Sequence, residues 1–176
     1  MADSDSVCVT PATVDDIDPV TDLWVALARG QRRHGSTLLA EDNRGTVREW
    51  VARSVVTGEL LVARDGDASA DAEPVGFVGF SLDRGGYERV RTRGTVSNLF
   101  VVPDRRGEGI GADLLHAAER ALREAGADAV ALEALAANDR ARAFYSERGY
   151  EPHRVEFTKS LTVAPEDGDG SDTRSE

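Results

Sequence analysis

The sequence predicts a single α/β domain, and three observations carry that prediction. Apolar residues recur at helical spacing in several long stretches. Short apolar runs bounded by Gly, Pro and Asp lie between them and read as strands. From residue 95 to 135 the order is strand, glycine-bearing loop, amphipathic helix, strand, which lays those two strands parallel. A chain of 176 residues suits one core, and a domain of this size buries about two-thirds of its unfolded surface without disulfides or structural metal. Cys8 is the single cysteine, so no internal disulfide, thiolate zinc site or Cys-x-x-Cys motif is available, and a reducing compartment is expected.

Val7 to Thr10 alternates enough for a first strand. Between Thr13 and Arg33, Val14, Ile17, Val20, Leu23, Trp24, Leu27 and Ala28 fall at helical spacing and predict the first helix. A second helix over Arg44 to Val56 turns Val47, Trp50 and Val51 inward, and Gly58 stands where a left-handed cap is commonly found. Leu60 to Ala63 and Val75 to Leu82 read as strands joined by the polar stretch 65 to 74, a hairpin with a long loop. Asp83 to Arg93 is a second glycine-bearing loop, and Thr95 to Val102 is the next strand. After Pro103 and the basic loop, Ile110, Leu114, Leu115, Ala118, Ala121, Leu122 and Ala125 form one helical stripe that Gly126 ends. Ala129 to Leu135 is apolar except for Glu133, which predicts a strand buried on both faces. A shorter helix runs from about Asp139 to Arg148 and stops at Gly149, and Val155 to Val163 supplies a last strand. Residues 1–6 and 164–176 are acidic and nearly free of large apolar side chains, so both ends are expected to be disordered, leaving 7–163 as the domain.

Formal net charge is −11, and Lys159 is the only lysine. Such a surplus speaks against general nucleic-acid binding and for solubility. No apolar run approaches the roughly 20 residues that span a bilayer, and Asp3 and Asp5 replace a signal peptide's basic start, so a cytoplasmic protein without a membrane partner is expected. Within this acidic chain Arg105 and Arg106, with Arg89, Arg91 and Arg93 upstream, predict a local positive island for an anionic ligand; a solvated charged surface is the alternative for residues 89 to 93.

The loop reads Arg105, Arg106, Gly107, Glu108, Gly109, Ile110, Gly111. A helix starting here aims unpaired N–H groups and the positive end of its dipole outward, which suits a phosphate or pyrophosphate. Glycine lets the backbone approach the oxygens and take positive φ in a tight turn. Three glycines alone are a weak signal. A dinucleotide-binding unit has them too and wants an acidic residue about 20 positions on, where Glu133 stands. That unit normally opens its domain and is followed by several strand–helix repeats, and here only about one helix and one strand remain. No Gly-Lys-Ser/Thr occurs, which excludes a P-loop.

Asn138, Ala141, Phe144, Tyr145, Gly149 and Tyr150 arrive one strand later and are far more specific. With them the chain resembles the GCN5-related N-acetyltransferase (GNAT) family, from about Val75 to Lys159. Its signature of Gln or Arg, two residues, Gly, any residue, Gly or Ala is matched by Arg106, Gly109 and Gly111. The resemblance implies a mixed, mostly antiparallel central sheet flanked by about four helices, with the strand at 95–102 splayed from its parallel neighbour at 129–135. It implies acetyl-CoA in that gap as cosubstrate. The pyrophosphate would sit on N–H groups of Gly107, Glu108, Gly109, Ile110, Gly111 and Ala112, the pantetheine arm would pair with the backbone of Leu99, Phe100 and Val101, and Asn138 would contact that arm. A splayed pair leaves strand groups in need of a partner, and a ligand with amide bonds can supply one.

Acetyl transfer to an amine needs a neutral amine, donors for negative charge on the thioester oxygen and a proton for the departing thiolate. Backbone N–H groups at the splay serve the second need. Tyr145 is the expected acid, because a phenol donates to sulfur without carrying permanent charge. Glu133 is the candidate base, on the expectation that burial raises its pKa. Its position matches a glutamate of the ribosomal-protein N-terminal acetylating branch; elsewhere in the family a carboxylate on the strand before the loop acts, and here that stretch has Ser97 and Asn98. Plainer readings stand beside these. Asn138 can be a helix N-cap, Tyr145 a core aromatic and Glu133 a partner for a neighbouring strand or arginine. Trp24 and Trp50 read as core anchors, and Tyr87 and Glu88 as exposed loop residues. His34, His116 and His153 show no ligand spacing, and no metal is expected. The expected function is N-acetyl transfer from acetyl-CoA to a small-molecule or peptide primary amine by direct attack in a ternary complex, in a protein for which a homodimer is admissible. A non-catalytic acetyl-CoA-binding module and a nicotinamide-dependent oxidoreductase are the alternatives.

Overall fold

In the computed structural model, residues 7–66, 72–83, 85 and 90–161 are described. The expected disorder at 1–6 and 164–176, and the readings of Tyr87, Glu88 and Arg89, lie outside them. Five strands and four α-helices follow one another as β1 (Val7–Pro11), α1 (Ile17–Gln31), α2 (Arg44–Thr57), β2 (Leu60–Asp65), β3 (Pro74–Leu82), β4 (Arg93–Val101), α3 (Ile110–Glu124), β5 (Ala129–Leu132) and α4 (Asp139–Ser146). Short 3₁₀ turns at Val14–Asp16, Arg32–His34 and Pro103–Arg105 lead into or out of them. The sheet order is β1-β2-β3-β4-β5. The first three pairings are antiparallel, and β4 and β5 run parallel, as the strand–helix–strand order requires.

Alternation along the central strands divides the core in two. Leu61, Ala63, Val78, Phe80, Val96 and Val101 face the α3 stripe of Ile110, Leu114, Leu115, Ala118 and Leu122. Leu60, Val62, Phe77 and Phe100 face the other way, against Val20, Val47 and Val51 of α1 and α2. Trp24 and Trp50 pack on that second cluster, the anchoring role expected of them. The entry to α1 is pinned to β2 by a buried ion pair between Asp16 and Arg64, each side chain only 4% exposed. Arg64 also donates to Thr10 Oγ1 (3.1 Å) and Ala72 O (2.9 Å), and Asp16 accepts from the Thr13 N–H (2.7 Å), so few of the pair's polar atoms are left wanting.

The sheet opens on its β5 side. Gly79 lies opposite Asn98 and Phe80 opposite Val96, so Ser97 is an extra residue in β4, a bulge that bends the strand. Pairing with β5 ends at the same level, where Val96 meets Leu132, and beyond it β4 continues to Val101 paired with β3 on one edge only. Two expectations are corrected here. The apolar run at 129–135 is a strand only to Leu132, and it is half-buried at the sheet edge rather than covered on both faces, because among the described residues only β4 pairs with it. The last strand expected at 155–163 is absent over 155–161, where Val155, Phe157 and Leu161 are 74%, 91% and 86% exposed; residues 162–163 lie outside the described set. Alternation in a sequence marks a face that a strand could present, and a strand also needs ladder bonds along its length.

Candidate functional site

The divergence of β4 from β5 leaves backbone groups exposed in a defined pattern. The Val102 N–H donates to Val75 O (2.9 Å), and antiparallel alternation then directs the N–H and C=O of Val101 and Leu99 away from β3, onto the edge that β5 has left. Phe100 lies between them with the opposite orientation. Its backbone pairs with Phe77 and its ring is buried, so of the three residues expected to pair with a ligand's amides only Leu99 and Val101 present free-edge groups.

At the end of this edge stands the glycine loop. Gly107 and Gly109 both hold φ at +92°, which a side chain would strain, and Gly109 is the residue from which α3 starts. Gly111 sits against the Phe144 ring, where a Cβ would lie 3.6 Å from Cζ, and this contact joins the start of α3 to α4. The N–H groups of Arg105 and Arg106 bond back to Val102 O and Pro103 O, and that of Ala112 bonds to Gly109 O (2.8 Å). The run of unpaired donors is therefore 107–111. Ala112, expected among them, is occupied by its own helical turn.

The two arginines of the loop part ways. Arg105 is held by Asp65 and by Glu108 (2.8 Å), whose carboxylates raise its pKa, so it ties the loop to β2. Arg106 has no carboxylate partner: its Nε donates to Val101 O (2.8 Å) and its guanidinium lies 5.3 Å from the centre of the Phe100 ring. Burial, then the neighbouring charges of Arg140 and Arg33, lower its pKa. The larger positive island is not assembled. Arg91 and Arg93 sit at the other end of β4, whose nine residues start at Arg93 and span roughly 26 Å. Arg93 is moreover paired with Asp83 (2.7 Å).

Across the opening lies α4. Asn138 caps it, accepting from the Ala141 N–H (3.2 Å) through Oδ1, which leaves its amide NH₂ free to donate. Tyr145 is half-buried between Phe144 (5.2 Å between ring centres) and Tyr150 (5.8 Å), and burial raises its pKa. No hydrogen bond engages its hydroxyl among the described residues. The Tyr150 hydroxyl, by contrast, is committed to Glu119 Oε1 at 2.6 Å. Glu133 follows β5 directly and is exposed, so the burial expected of a tuned base is missing. β5 ends one residue earlier, at Leu132.

Sequence reasoning missed Arg33, His34 and Arg140. The His34 Nδ1 lies 3.1 Å from Ala137 O, and Arg33 Nε donates to His34 Nε2 (3.2 Å), so the turn after α1 reaches over to the β5–α4 connection. No local pattern announces a contact between residues 103 positions apart. Cavities of about 270 and 130 Å³ lie elsewhere, along β5 against α3, lined by Glu119, Val130 and their neighbours and by none of the loop residues. Among the described residues no His, Cys, Asp and Glu cluster could hold a metal, and no helix is long and apolar enough to cross a membrane.

Known proteins match this arrangement. The model of the acetyltransferase (GNAT) family matches residues 27–150. An uncharacterized N-acetyltransferase of Archaeoglobus fulgidus is 32% identical over 144 residues, covering 77% of this chain and 86% of its own length. A mycothiol acetyltransferase of Propionibacterium freudenreichii is 33% identical over 77% of this chain, which spans 40% of that longer protein. An aminoalkylphosphonate N-acetyltransferase of Salmonella typhimurium is 38% identical over 39% of this chain and 44% of its own. Among solved structures, a GCN5-related N-acetyltransferase from Ralstonia eutropha superposes with a TM-score of 0.66 at 22% identity, covering 89% of this chain and 99% of that one. An aminoglycoside N-acetyltransferase in complex with CoA does so at 0.69 and 16%, over 92% and 99%.

Proposed function

This chain belongs to the acetyltransferase (GNAT) family, and from that premise we propose that it moves an acetyl group from acetyl-CoA to a primary amine by direct attack in a ternary complex. One observation carries the reading. The free edge of β4 at Leu99 and Val101 and the unpaired N–H groups of 107–111 meet at one corner, offering a ladder for an amide-bearing arm and donors for a diphosphate. The bound thioester supplies an acyl carbonyl with a good leaving group. Free N–H groups on the β4 edge are donors for the negative charge that develops on the acyl oxygen. Tyr145, kept protonated by burial, gives its proton to the departing sulfur and recovers one from solvent, while the amine loses its proton to Glu133. Asn138 donates to the arm through its free NH₂. To use the Val101 carbonyl, the arm has to displace the guanidinium of Arg106.

The aminoalkylphosphonate and aminoglycoside N-acetyltransferases among the similar proteins support an amine acceptor. A binding-only module is favoured by Ser97 and Asn98, which carry no carboxylate on β4, and by the exposure of Glu133. The nicotinamide reading loses its support, since among the described residues only β4 and β5 run parallel and the sheet is not doubly wound. Free-thiol release from acetyl-CoA across an amine library tests the proposal. We expect turnover with at least one amine and a loss of kcat of about tenfold or more in both Tyr145→Phe and Glu133→Gln, the scale of general acid–base assistance. No turnover with any amine, despite acetyl-CoA binding, would leave the binding-only module. An unchanged rate in either variant would remove that residue from its role.

A further inference from the structure

Arg33, Arg106 and Arg140 come from three separate segments: the turn after α1, the loop before α3 and the first turn of α4. Two approaches draw these segments together. His34 reaches Ala137 O, and the tautomer with its proton on Nδ1 satisfies both that bond and the one Arg33 gives to Nε2. The Phe144 ring of α4 lies 3.6 Å from where a Cβ on Gly111 would stand, at the start of α3 and five residues past Arg106. Among the described residues none of the three guanidinium groups has a carboxylate partner. Arg105 takes Asp65 and Glu108, Arg142 takes Asp139, and the Arg140 side chain makes no hydrogen bond or ion pair. Arginine stays charged under all ordinary conditions, so bringing the three together carries repulsion that no ion pair among the described residues relieves. The charges of Arg140 and Arg33 are close enough to depress the pKa of Arg106, after burial the main causes of that shift. In a chain of net charge −11 with carboxylates in excess, a patch left without one is chemically specific.

We propose that Arg33, Arg106 and Arg140 form one anion clamp across the mouth of the β4–β5 opening, built for a phosphate or phosphonate dianion. Planar guanidinium forks suit such a group, and three of them from different directions fix its position as well as its charge. The dianion has two sources, the phosphate monoester on the ribose of the acyl donor or an anionic group on the acceptor. Drawing Arg106 toward the anion would also release the Val101 carbonyl for the donor's arm. The clamp rests on the acetyl-CoA reading for its setting, but its chemistry can be read separately.

Calorimetric titration of the full chain and of Arg33→Ala and Arg140→Ala supplies the test. Both arginines are exposed, so the variants are expected to fold. The probes are CoA, 3′-dephospho-CoA, inorganic pyrophosphate, and a pair of amines with and without a phosphonate. Each variant should bind at least one phosphate- or phosphonate-bearing probe at least fivefold more weakly, with its uncharged or dephosphorylated counterpart unchanged. Loss confined to CoA against its dephospho form assigns the anion to the donor, and loss confined to the phosphonate amine assigns it to the acceptor. Losses below fivefold for every anionic probe, or equal losses for charged and uncharged counterparts, would overturn the clamp. Failure of the unaltered protein to bind CoA would instead refute the acetyl-CoA reading, with the clamp still judged on pyrophosphate and the amine pair.

Discussion

At the scale of single residues, the two tyrosines of α4 and its C-terminal flank divide the work that a phenol can do. Tyr150 spends its hydroxyl on Glu119, whereas Tyr145 keeps its own free in a half-buried ring cluster. Burial raises the pKa of both, and for Tyr150 the Glu119 bond and charge add to it. A raised tyrosine pKa means that the folded protein holds its proton where the unfolded chain, with an ordinary value of about 10, starts to lose its own. Stability from this source is therefore complete below about pH 10 and declines as pH rises through the folded-state value. Urea unfolding followed from pH 8 to 11 should show that decline, and Tyr145→Phe should make it shallower. An equally steep decline in the variant would mean that Tyr145 is not desolvated in the fold. The same burial keeps Tyr145 a proton donor at neutral pH, the state its proposed role requires.

Among the secondary-structure elements, β3 and β4 decide where the opening begins, and one glycine sets how closely α2 can approach. A Cβ on Gly79 would stand 2.6 and 2.7 Å from ring carbons of Trp50 and 3.1 Å from Oγ of Ser97, the bulged residue of β4. Gly79→Ala is expected to cost about 1–3 kcal/mol through overpacking, a fall in Tm of about 2–10 °C for a domain of this size. Thermal unfolding measures it. If the ring contact is the cause, Trp50→Leu combined with Gly79→Ala should fall less than the sum of the single changes, and strict additivity would refute that cause. The limits of sequence reading also appear at this scale. β1 to β4 and the helices were legible because apolar periodicity is local and strong over their lengths. The run at 129–135 has the composition of a covered strand yet lies at the sheet edge, and 155–161 alternates yet forms no strand. Composition describes what a segment could bury, not which neighbour arrives to bury it.

For the whole molecule, binding couples to stability. A ligand that engages only the folded state stabilises it by about 2.7 kcal/mol at one hundred times its Kd, a rise in Tm of about 5–10 °C here. Acetyl-CoA should produce such a rise and NAD none, as read by differential scanning fluorimetry. A rise with NAD alone would count against the proposed donor. On the proposed reading salt should weaken the effect of acetyl-CoA, because an attraction between its phosphates and guanidinium charges is screened by ions.

By itself the sequence determined the α/β class, the parallel pair around α3, the positive-φ glycines of the loop and the Asn138 to Tyr150 stretch that carries the family resemblance. All of these depend on spacing over a few to a few dozen residues. Tertiary structure alone decided that Arg105 is spent on Asp65, 40 residues away, while Arg106 stays without an acid. It also decided that Ala112 has no free donor, that Glu133 is exposed and that the charges of Arg33 and Arg140 come near enough to Arg106 to lower its pKa. The physical reason is common to them: whether a charge is neutralised, a donor paired or a side chain desolvated is set by groups distant in the chain, and only folding brings those groups within reach.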